Sequence, residues 1–382
     1  MINELRIHTL RNLSQASLLL ADCNLIIGKN GSGKTSLLEA VFLLSRGKSF
    51  RHHEPKRYIQ HHAKSCTVWA SIDHLQTIAI QKQLDSSNFA TTLLKVNQNT
   101  VNSQSTLSFL LPTLLIDPTG MMVLEEGSAN RRQMLDWLVF HVEHQFYPEW
   151  LSYQRLLKQR NSLLKSPFLS LSELNAWDCA LSVHAAALHE CRQKVFDEWQ
   201  SFFNQMIGRL LPSYQDELYL TYQAGFDVKT GLFETLKNRL EQDKELGYTR
   251  VGAHRADVMV GLKQVNKDGV KLREQAVNVL SRGEKKLLII ALKLSQLQMI
   301  CRYLKNVKPV VLIDDIDAEL DDEAMEVFFD TVLSLPCQLF ITSLQDSTAD
   351  KICQKMMKNN RHINELKVFH VEQGEIFEKS GC

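Results

Sequence analysis

A chain of 382 residues is long for one hydrophobic core, so two domains or lobes are expected. Its 44 Lys and Arg against 43 Asp and Glu leave a net charge of +1, so any nucleic-acid contact has to come from local basic patches. No window holds 18 uncharged apolar residues, which excludes a membrane-spanning helix, and Met1–Arg6 lacks the apolar core of a secretory signal.

The eight cysteines, Cys23, Cys66, Cys179, Cys191, Cys301, Cys337, Cys353 and Cys382, form no C-x-x-C pair and are widely scattered. That pattern fits reduced thiols in a cytosol better than disulfides or a zinc site. Residues 2–27 read as short strands ending in the apolar run Leu25-Ile26-Ile27. Gly28-Lys29-Asn30-Gly31-Ser32-Gly33-Lys34-Thr35-Ser36 follows, and then a helical pattern through Leu37, Leu38, Val41, Phe42 and Leu44. Strand, glycine-rich loop and helix form the context of a Walker A loop. Glycines let successive backbone N–H groups turn inward around phosphate oxygens, and the helix N-terminus adds roughly half a positive charge. Lys34 can reach the β- and γ-phosphates of a nucleoside triphosphate, and the Thr35 hydroxyl can ligate Mg²⁺.

A basic stretch, Lys48 to Arg57, comes next; it can touch nucleotide, DNA or a partner, or serve as a solvated connection. Cys66–Ile72 and Leu75–Gln81 read as a hairpin, Asp85–Ser105 as polar loop with weak strand content, and Leu110–Ile116 as the end of the first block. Character changes at about residue 119. Leu138 to Leu157 carries apolar residues at helical spacing, with Pro148 interrupting or restarting the helix. Leu174, Leu181, Leu188, Val195 and Phe202 recur every seven residues as an imperfect heptad seam. Two such helices with a short connection fold back as an antiparallel pair. Trp177 and Trp199 read as core, and His184 as a flank residue without a chemical role.

The β-like pattern returns at Tyr248, followed by a helix from about residue 286 to 304. Val310-Val311-Leu312-Ile313 is a buried strand ending in Asp314-Asp315, a Walker B element. Asp314 would hold Mg²⁺ opposite Thr35, and Asp315 is placed to orient or deprotonate the attacking water. An aspartate there is one methylene shorter than the usual glutamate, which predicts slow hydrolysis. Almost 280 residues separate the two Walker elements, so the insert is expected to be a lobe or arm on a head assembled from both chain ends. Leu280-Ser281-Arg282-Gly283-Glu284 resembles the LSGGQ signature of ABC-type ATPases, in which Ser281 and Gly283 would bind the γ-phosphate of the opposite subunit. Ser281 and Glu284 are equally spaced as a helix capping box, and both readings can hold together.

Five stretches together resemble the RecF family of the ABC/SMC superfamily: Asn24–Phe42, Glu126–Asp136, Gly252–Asp257, Leu280–Gly283 and Leu312–Asp321. Ala129 and Ala253 stand where that family has Pro, and Glu284 replaces its commoner Gln, adding negative charge near a γ-phosphate unless Lys285 or Lys286 compensates. The resemblance implies an α/β fold: a P-loop ABC-type ATPase head, with mixed sheet and flanking helices, and an inserted helical lobe carrying a short antiparallel helix pair. The expected division is 1–118 for the N-terminal part of the head, 119–247 for the lobe and 248–382 for the C-terminal part of the head.

It further implies a cytoplasmic, weak DNA-dependent ATPase with ATP and Mg²⁺ as cofactors. Such a protein forms an ATP-dependent homodimer on single-stranded, duplex or gapped DNA, and works with RecO and RecR to load RecA. The alternative is an ATP-binding, DNA-tethering module of the SMC class without significant turnover. Candidate DNA-contacting cations are Arg51, Lys56, Arg57, Arg131, Arg132, Arg155, Lys158 and Arg160, with Arg131 and Arg132 equally suited to bracing the lobe junction. Ala318-Glu319-Leu320-Asp321 matches the family D-loop, and Thr342 and Ser343 can sense γ-phosphate by hydroxyl.

Overall fold

A computed structural model describes the chain except residues 88, 169, 266–270, 359–364 and 380–382. In chain order the elements are β1 (Ile2–Leu10), β2 (Leu13–Leu19), β3 (Cys23–Ile27), α1 (Lys34–Arg46), β4 (Ser65–Ile72), β5 (Gln76–Leu84), β6 (Ala90–Val96), β7 (Asn99–Val101), α2 (Gln104–Leu110) and β8 (Thr113–Ile116). Then come α3 (Met122–Glu125), α4 (Ser128–Val142), α5 (Phe146–Leu164), α6 (Leu171–Leu210), β9 (Leu218–Gln223), α7 (Gly231–Asn238), α8 (Leu240–Leu246), β10 (Asp257–Val265), β11 (Lys271–Gln275), α9 (Ala276–Val279) and α10 (Arg282–Tyr303). The chain closes with β12 (Val310–Ile313), α11 (Ile316–Glu319), α12 (Asp322–Leu333), β13 (Gln338–Ser343), α13 (Ser347–Lys358), β14 (Leu366–Glu372) and β15 (Glu375–Lys379).

These elements form two compact units, Met1–Gly120 with Cys301–Cys382, and Met121–Ile300. The first unit draws on both chain ends and holds two sheets. One is antiparallel, in the order β2-β1-β4-β5-β6-β7. Its strands alternate as a half-buried sheet should: Cys66, Val68, Ala70 and Ile72 point into the core while Thr67, Trp69 and Ser71 stay partly open. The other runs β15-β14-β3-β13-β12-β8, parallel from β14 to β8. β3, β12 and β13 are buried along their whole length, as parallel strands covered on both faces are. Truncating fully buried Phe340 of β13 to alanine would cost about 3–5 kcal/mol.

In the second unit α5 and α6 pair, and the 40-residue α6 is about 60 Å long. Leu174, Leu181, Leu188 and Val195 are buried as the heptad spacing predicts, but the next inward residue is Phe203, not Phe202. A straight helix drifts about 20° per heptad, so after four heptads the inward face has moved on by about one residue. Trp199 is fully buried and donates Nε1–H to Ser295 Oγ at 2.8 Å; Trp177 is only half-buried, its Nε1 on Glu173 Oε1 at 3.3 Å. Pro148 sits in the first turn of α5, where its missing N–H costs no bond, so the helix restarts there. The unit continues past residue 247 to Ile300, because β10 pairs with β9 and β11 and because Gln296 on α10 donates to Met134 O at 2.8 Å.

Three stretches differ from the sequence reading. Residues 90–101 form β6 and β7, extending the antiparallel sheet with Thr-rich exposed strands whose polarity imitates a loop. Residues 104–110 form α2, capped by Ser103. Residues 347–358 form α13, which escaped notice because its apolar stripe is only Ile352, Cys353 and Met356 among charges. Among the described residues Cys23, Cys66, Cys179, Cys191, Cys301 and Cys337 form no disulfide, whereas Cys353 is disulfide-bonded, so the expectation of reduced thiols does not extend to it.

Candidate functional site

The two Walker segments meet within the first unit. β3 and β12 are not neighbours; β13 lies between them, and all three run parallel, so their carboxyl ends open on the same edge. Ligands of open α/β sheets bind at such strand ends. Beyond β3 the chain turns through Gly33, whose φ of 124° lies where a side chain is rarely tolerated, and enters α1 at Lys34. The Thr35 hydroxyl donates to Asp314 Oδ1 at 3.0 Å, across 279 residues of sequence. Lys34 Nζ rests on Gly28 O at 2.8 Å and Lys29 O at 3.3 Å, with Asp315 Oδ1 at 3.8 Å.

The cleft over this junction has a volume of about 520 Å³ and is lined by Arg11, Asn12, Lys29, Asn30, Gly31, Gly33, Lys34, Thr35, Ser36, Arg51 and Asp315. Two buried oxygens here have no hydrogen-bond partner, Ser32 Oγ and Asp315 Oδ1. Buried polar atoms left unpaired are costly and few, so a pair of them beside a cationic loop marks a place where a polar ligand completes the bonding. Burial pushes the Asp314 carboxyl above the usual range and the Asp315 charge adds to it, against bonds from Thr342 and Thr35.

Thr342, at the tip of β13, donates to Asp314 Oδ1 at 2.9 Å and accepts from Asp315 N at 2.7 Å. It is fully buried, so it positions both aspartates and has no free hydroxyl for γ-phosphate; Ser343 likewise is bonded to Asp317 Oδ2 at 2.6 Å. Asp315 adopts the left-handed region (φ 50°, ψ 57°) as the N-cap of α11, which turns its side chain off the strand axis. In the D-loop segment, Asp321 caps α12 through Ala324 N at 2.8 Å, while the side chains of Ala318 and Glu319 lie outside the described residues.

The model of the RecF/RecN/SMC N-terminal domain matches residues 1–366. A DNA replication and repair protein RecF of Acinetobacter baumannii (strain SDF) is 40% identical over 381 residues, covering 98% of both chains. That of Acinetobacter baylyi is 44% identical over 345 residues, covering 90% of this chain and 91% of its own. The chain belongs to the RecF family. The solved structure of the recombination mediator protein RecF with ATP superposes with a TM-score of 0.80 at 25% identity, over 99% of this chain and 97% of that one. An SMC head domain from Pyrococcus furiosus shares the fold at a TM-score of 0.55 and 16% identity, over 99% of this chain and 96% of that one. The α/β ATPase-head fold of RecF and SMC proteins is therefore the fold of this chain.

The two RecF-like stretches of the second unit, 126–136 and 252–257, bind each other. Arg131 forms a two-pronged ion pair with Asp257, at 2.8 and 2.9 Å. Arg132 Nη1 donates to Ala256 O at 3.0 Å. Asp136 receives the buried Arg192 at 2.8 and 3.0 Å, and Arg192 Nη1 reaches Ala253 O at 2.7 Å. His254 lies between Tyr153 OH on Nδ1 (2.8 Å) and Thr249 O on Nε2 (3.0 Å), and burial lowers its pKa to about 4. The knot holds although Ala129 and Ala253 replace Pro, because side chains from α4, α5 and α6 secure it.

Of the expected DNA-contacting cations, Arg160 is corrected: it is fully buried, with Asp178 at 2.5 Å and Asp243 at 2.8 Å. Arg131 is consumed by Asp257. Arg51, Arg155 and Lys158 remain exposed, while Lys56 and Arg57 each pair with Glu54 at 3.3 Å. Ser281 and Glu284 form the capping box: Ser281 N to Glu284 Oε2 at 2.7 Å and Glu284 N to Ser281 Oγ at 3.4 Å. The other Glu284 oxygen accepts from Tyr214 OH at 2.7 Å, and Lys285 lies 3.6 Å from Glu125.

Arg11 and Asn12 escaped the sequence reading. Arg11 forms an ion pair with buried Glu39 at 2.8 Å, on the first helix after the loop. Asn12 donates to Ser32 O at 2.8 Å and accepts from Ser36 Oγ at 2.9 Å. An Arg-Asn pair between two strands looks like any turn, and nothing in its spacing points to the loop twenty residues on.

Proposed function

We propose that this chain is an ATP-dependent, DNA-binding recombination mediator of DNA repair and replication. The supporting observation is the meeting of Thr35 and Asp314 at 3.0 Å, with Lys34 and Asp315 alongside. Gly28 to Ser36 cradle the triphosphate: loop N–H groups and the α1 N-terminus receive phosphate oxygens, and Lys34 leaves its carbonyls for the β- and γ-phosphates. Thr35 and Asp314 supply hard oxygen donors fitted to Mg²⁺, which neutralises developing charge on the phosphates when bound. Asp315 orients the attacking water and accepts its proton. Its short side chain makes turnover slow. The unpaired Ser32 Oγ and Asp315 Oδ1 fit this assignment.

Ser281 and Gly283 serve the nucleotide of a second copy, making ATP the link in a homodimer. DNA is held through phosphates by exposed cations such as Arg51, Arg155 and Lys158, so log affinity falls with log salt at about −0.9 per contact. The solved RecF–ATP structure is described within the RecFOR pathway, which supports RecO and RecR as partners; RecA loading as the outcome and a cytoplasmic setting belong to the same reading.

Asp315→Asn tests the assignment. ATP binding and ATP-driven association are retained while turnover falls at least about 100-fold, read by phosphate release and sedimentation. Turnover equal to wild type would favour an SMC-class tethering module that holds ATP without using it.

A further inference from the structure

The Ser32 carbonyl, in the middle of the phosphate loop, accepts two hydrogen bonds from outside that loop. One is from Asn12 Nδ2 at 2.8 Å, in the β1–β2 turn; the other is from Gly374 N at 2.9 Å, in the β14–β15 turn. The two turns also meet each other: a Cβ on Gly374 would lie 2.2 Å from Asn12 O, and Gly374 has a φ of 87°. Within the loop, a Cβ on Gly28 would lie 2.4 Å from Val371 O on β14, and one on Gly33 would lie 2.9 Å from Asn12 Nδ2. The phosphate loop is thus pressed between a turn near the start of the chain and a hairpin near its end.

A phosphate loop works only when its carbonyls face away from the ligand, because each carbonyl turned inward removes the neighbouring N–H from the phosphate. We infer that Asn12 and the β14–β15 turn at Gly374 are positioning elements of the nucleotide site, which fix the Ser32 carbonyl outward and so aim the following N–H groups at phosphate. This rests on the ATP-binding reading above and extends the site to the carboxyl-terminal hairpin. Asn12 is itself exposed, so its contribution is not burial. Its Oδ1 accepts from Ser36 Oγ at 2.9 Å, which leaves Nδ2 as the group facing Ser32.

Asn12→Asp keeps the size and the Ser36 bond but sets a carboxylate oxygen against the Ser32 carbonyl. Gly374→Ala forces the turn off Asn12 O and withdraws the second donor. Titration of the full-length chain with a fluorescent ATP analogue and Mg²⁺ should show affinity reduced about tenfold or more in each, the scale of a lost bond plus an opposed dipole. The double variant should lose less than the product of the two, since both act on one carbonyl. Apo melting of Asn12→Asp should stay within about 2 °C of wild type, a change no larger than an exposed substitution causes. Wild-type affinity in both variants, with the wild type binding, overturns this inference and leaves the ATP reading standing. Affinity loss in Asn12→Asp matched by an equal loss of apo stability also overturns it. No binding by wild type overturns both.

Discussion

The phosphate loop of the first unit and the arginine knot of the second are both dense in charge, yet they are finished to different degrees. In the knot Arg131, Arg192 and Asp257 are fully engaged, and His254 uses both ring nitrogens. In the loop two buried oxygens have no partner and Lys34 rests on backbone carbonyls. In the knot the buried charges are satisfied by one another and hold the fold, while in the loop the two unpaired oxygens lie beside a cationic cleft where a polar ligand can complete them. The same family resemblance covers both regions, yet their bonding differs.

If that contrast is right, removing a cation has opposite consequences in the two places. Lys34→Ala should reduce ATP turnover by about 10³-fold or more while leaving the apo melting temperature near wild type, because its charge is directed at a ligand. A large fall in apo stability with ATP use preserved would reverse the comparison. Calorimetry beside a phosphate-release assay reads both.

Arg160 is the counterpart in the second unit. Its guanidinium lies between Asp178 and Asp243 and bonds Thr249 Oγ1 at 2.7 Å. Arg160→Met would leave two carboxylates without their counter-ion, costing about 3–5 kcal/mol of stability. ATP-analogue affinity of the folded fraction should not change. An affinity loss comparable to that of Lys34→Ala would make Arg160 part of a ligand site.

What the sequence made legible follows from the same distinction. Gly28–Ser36 and Val310–Asp315 could be read because a phosphate loop and a strand-end carboxylate are local patterns, fixed by backbone geometry within a few residues. Arg160 reads as an exposed cation in the sequence because its partners, Asp178 and Asp243, are 18 and 83 residues away. Asn12 gives no local signal for the same reason. Thr342 reads as a phosphate sensor because only the position of β13 between β3 and β12 reveals that its hydroxyl is held by Asp314. The helix pair was readable from its seven-residue spacing, and the slip from Phe202 to Phe203 marks where helix geometry departs from that spacing.

His254 gives the knot a pH signature. Burial lowers its pKa from 6.5 to about 4, so the unfolded chain takes up the proton first as pH falls. The stability involved is full above about pH 6.5 and is lost as pH falls toward 4, up to about 3 kcal/mol. Melting curves at pH 7 and pH 5 should therefore converge for His254→Gln more than for wild type. Equal acid sensitivity in both would assign the loss to other groups.

The smallest effect is expected at Tyr214, where the two kinds of region overlap. Glu284 stands in a motif assigned to a partner copy's γ-phosphate, yet both its oxygens are held within its own unit, by Ser281 N and Tyr214 OH. These bonds hold its carboxyl below the usual range, the Ser281 contacts first and Tyr214 next, so it is charged at neutral pH. A charge held by two donors repels a nearby phosphate less than one held by a single donor. Tyr214→Phe should weaken ATP-driven association about two- to threefold, as loss of one part-buried hydrogen bond would. Glu284→Gln should remove that penalty, because an amide carries no charge to restrain. A Tyr214→Phe penalty that persists in the Glu284→Gln background would mean that Tyr214 acts on folding alone, and the signature loop would then belong with the finished knot.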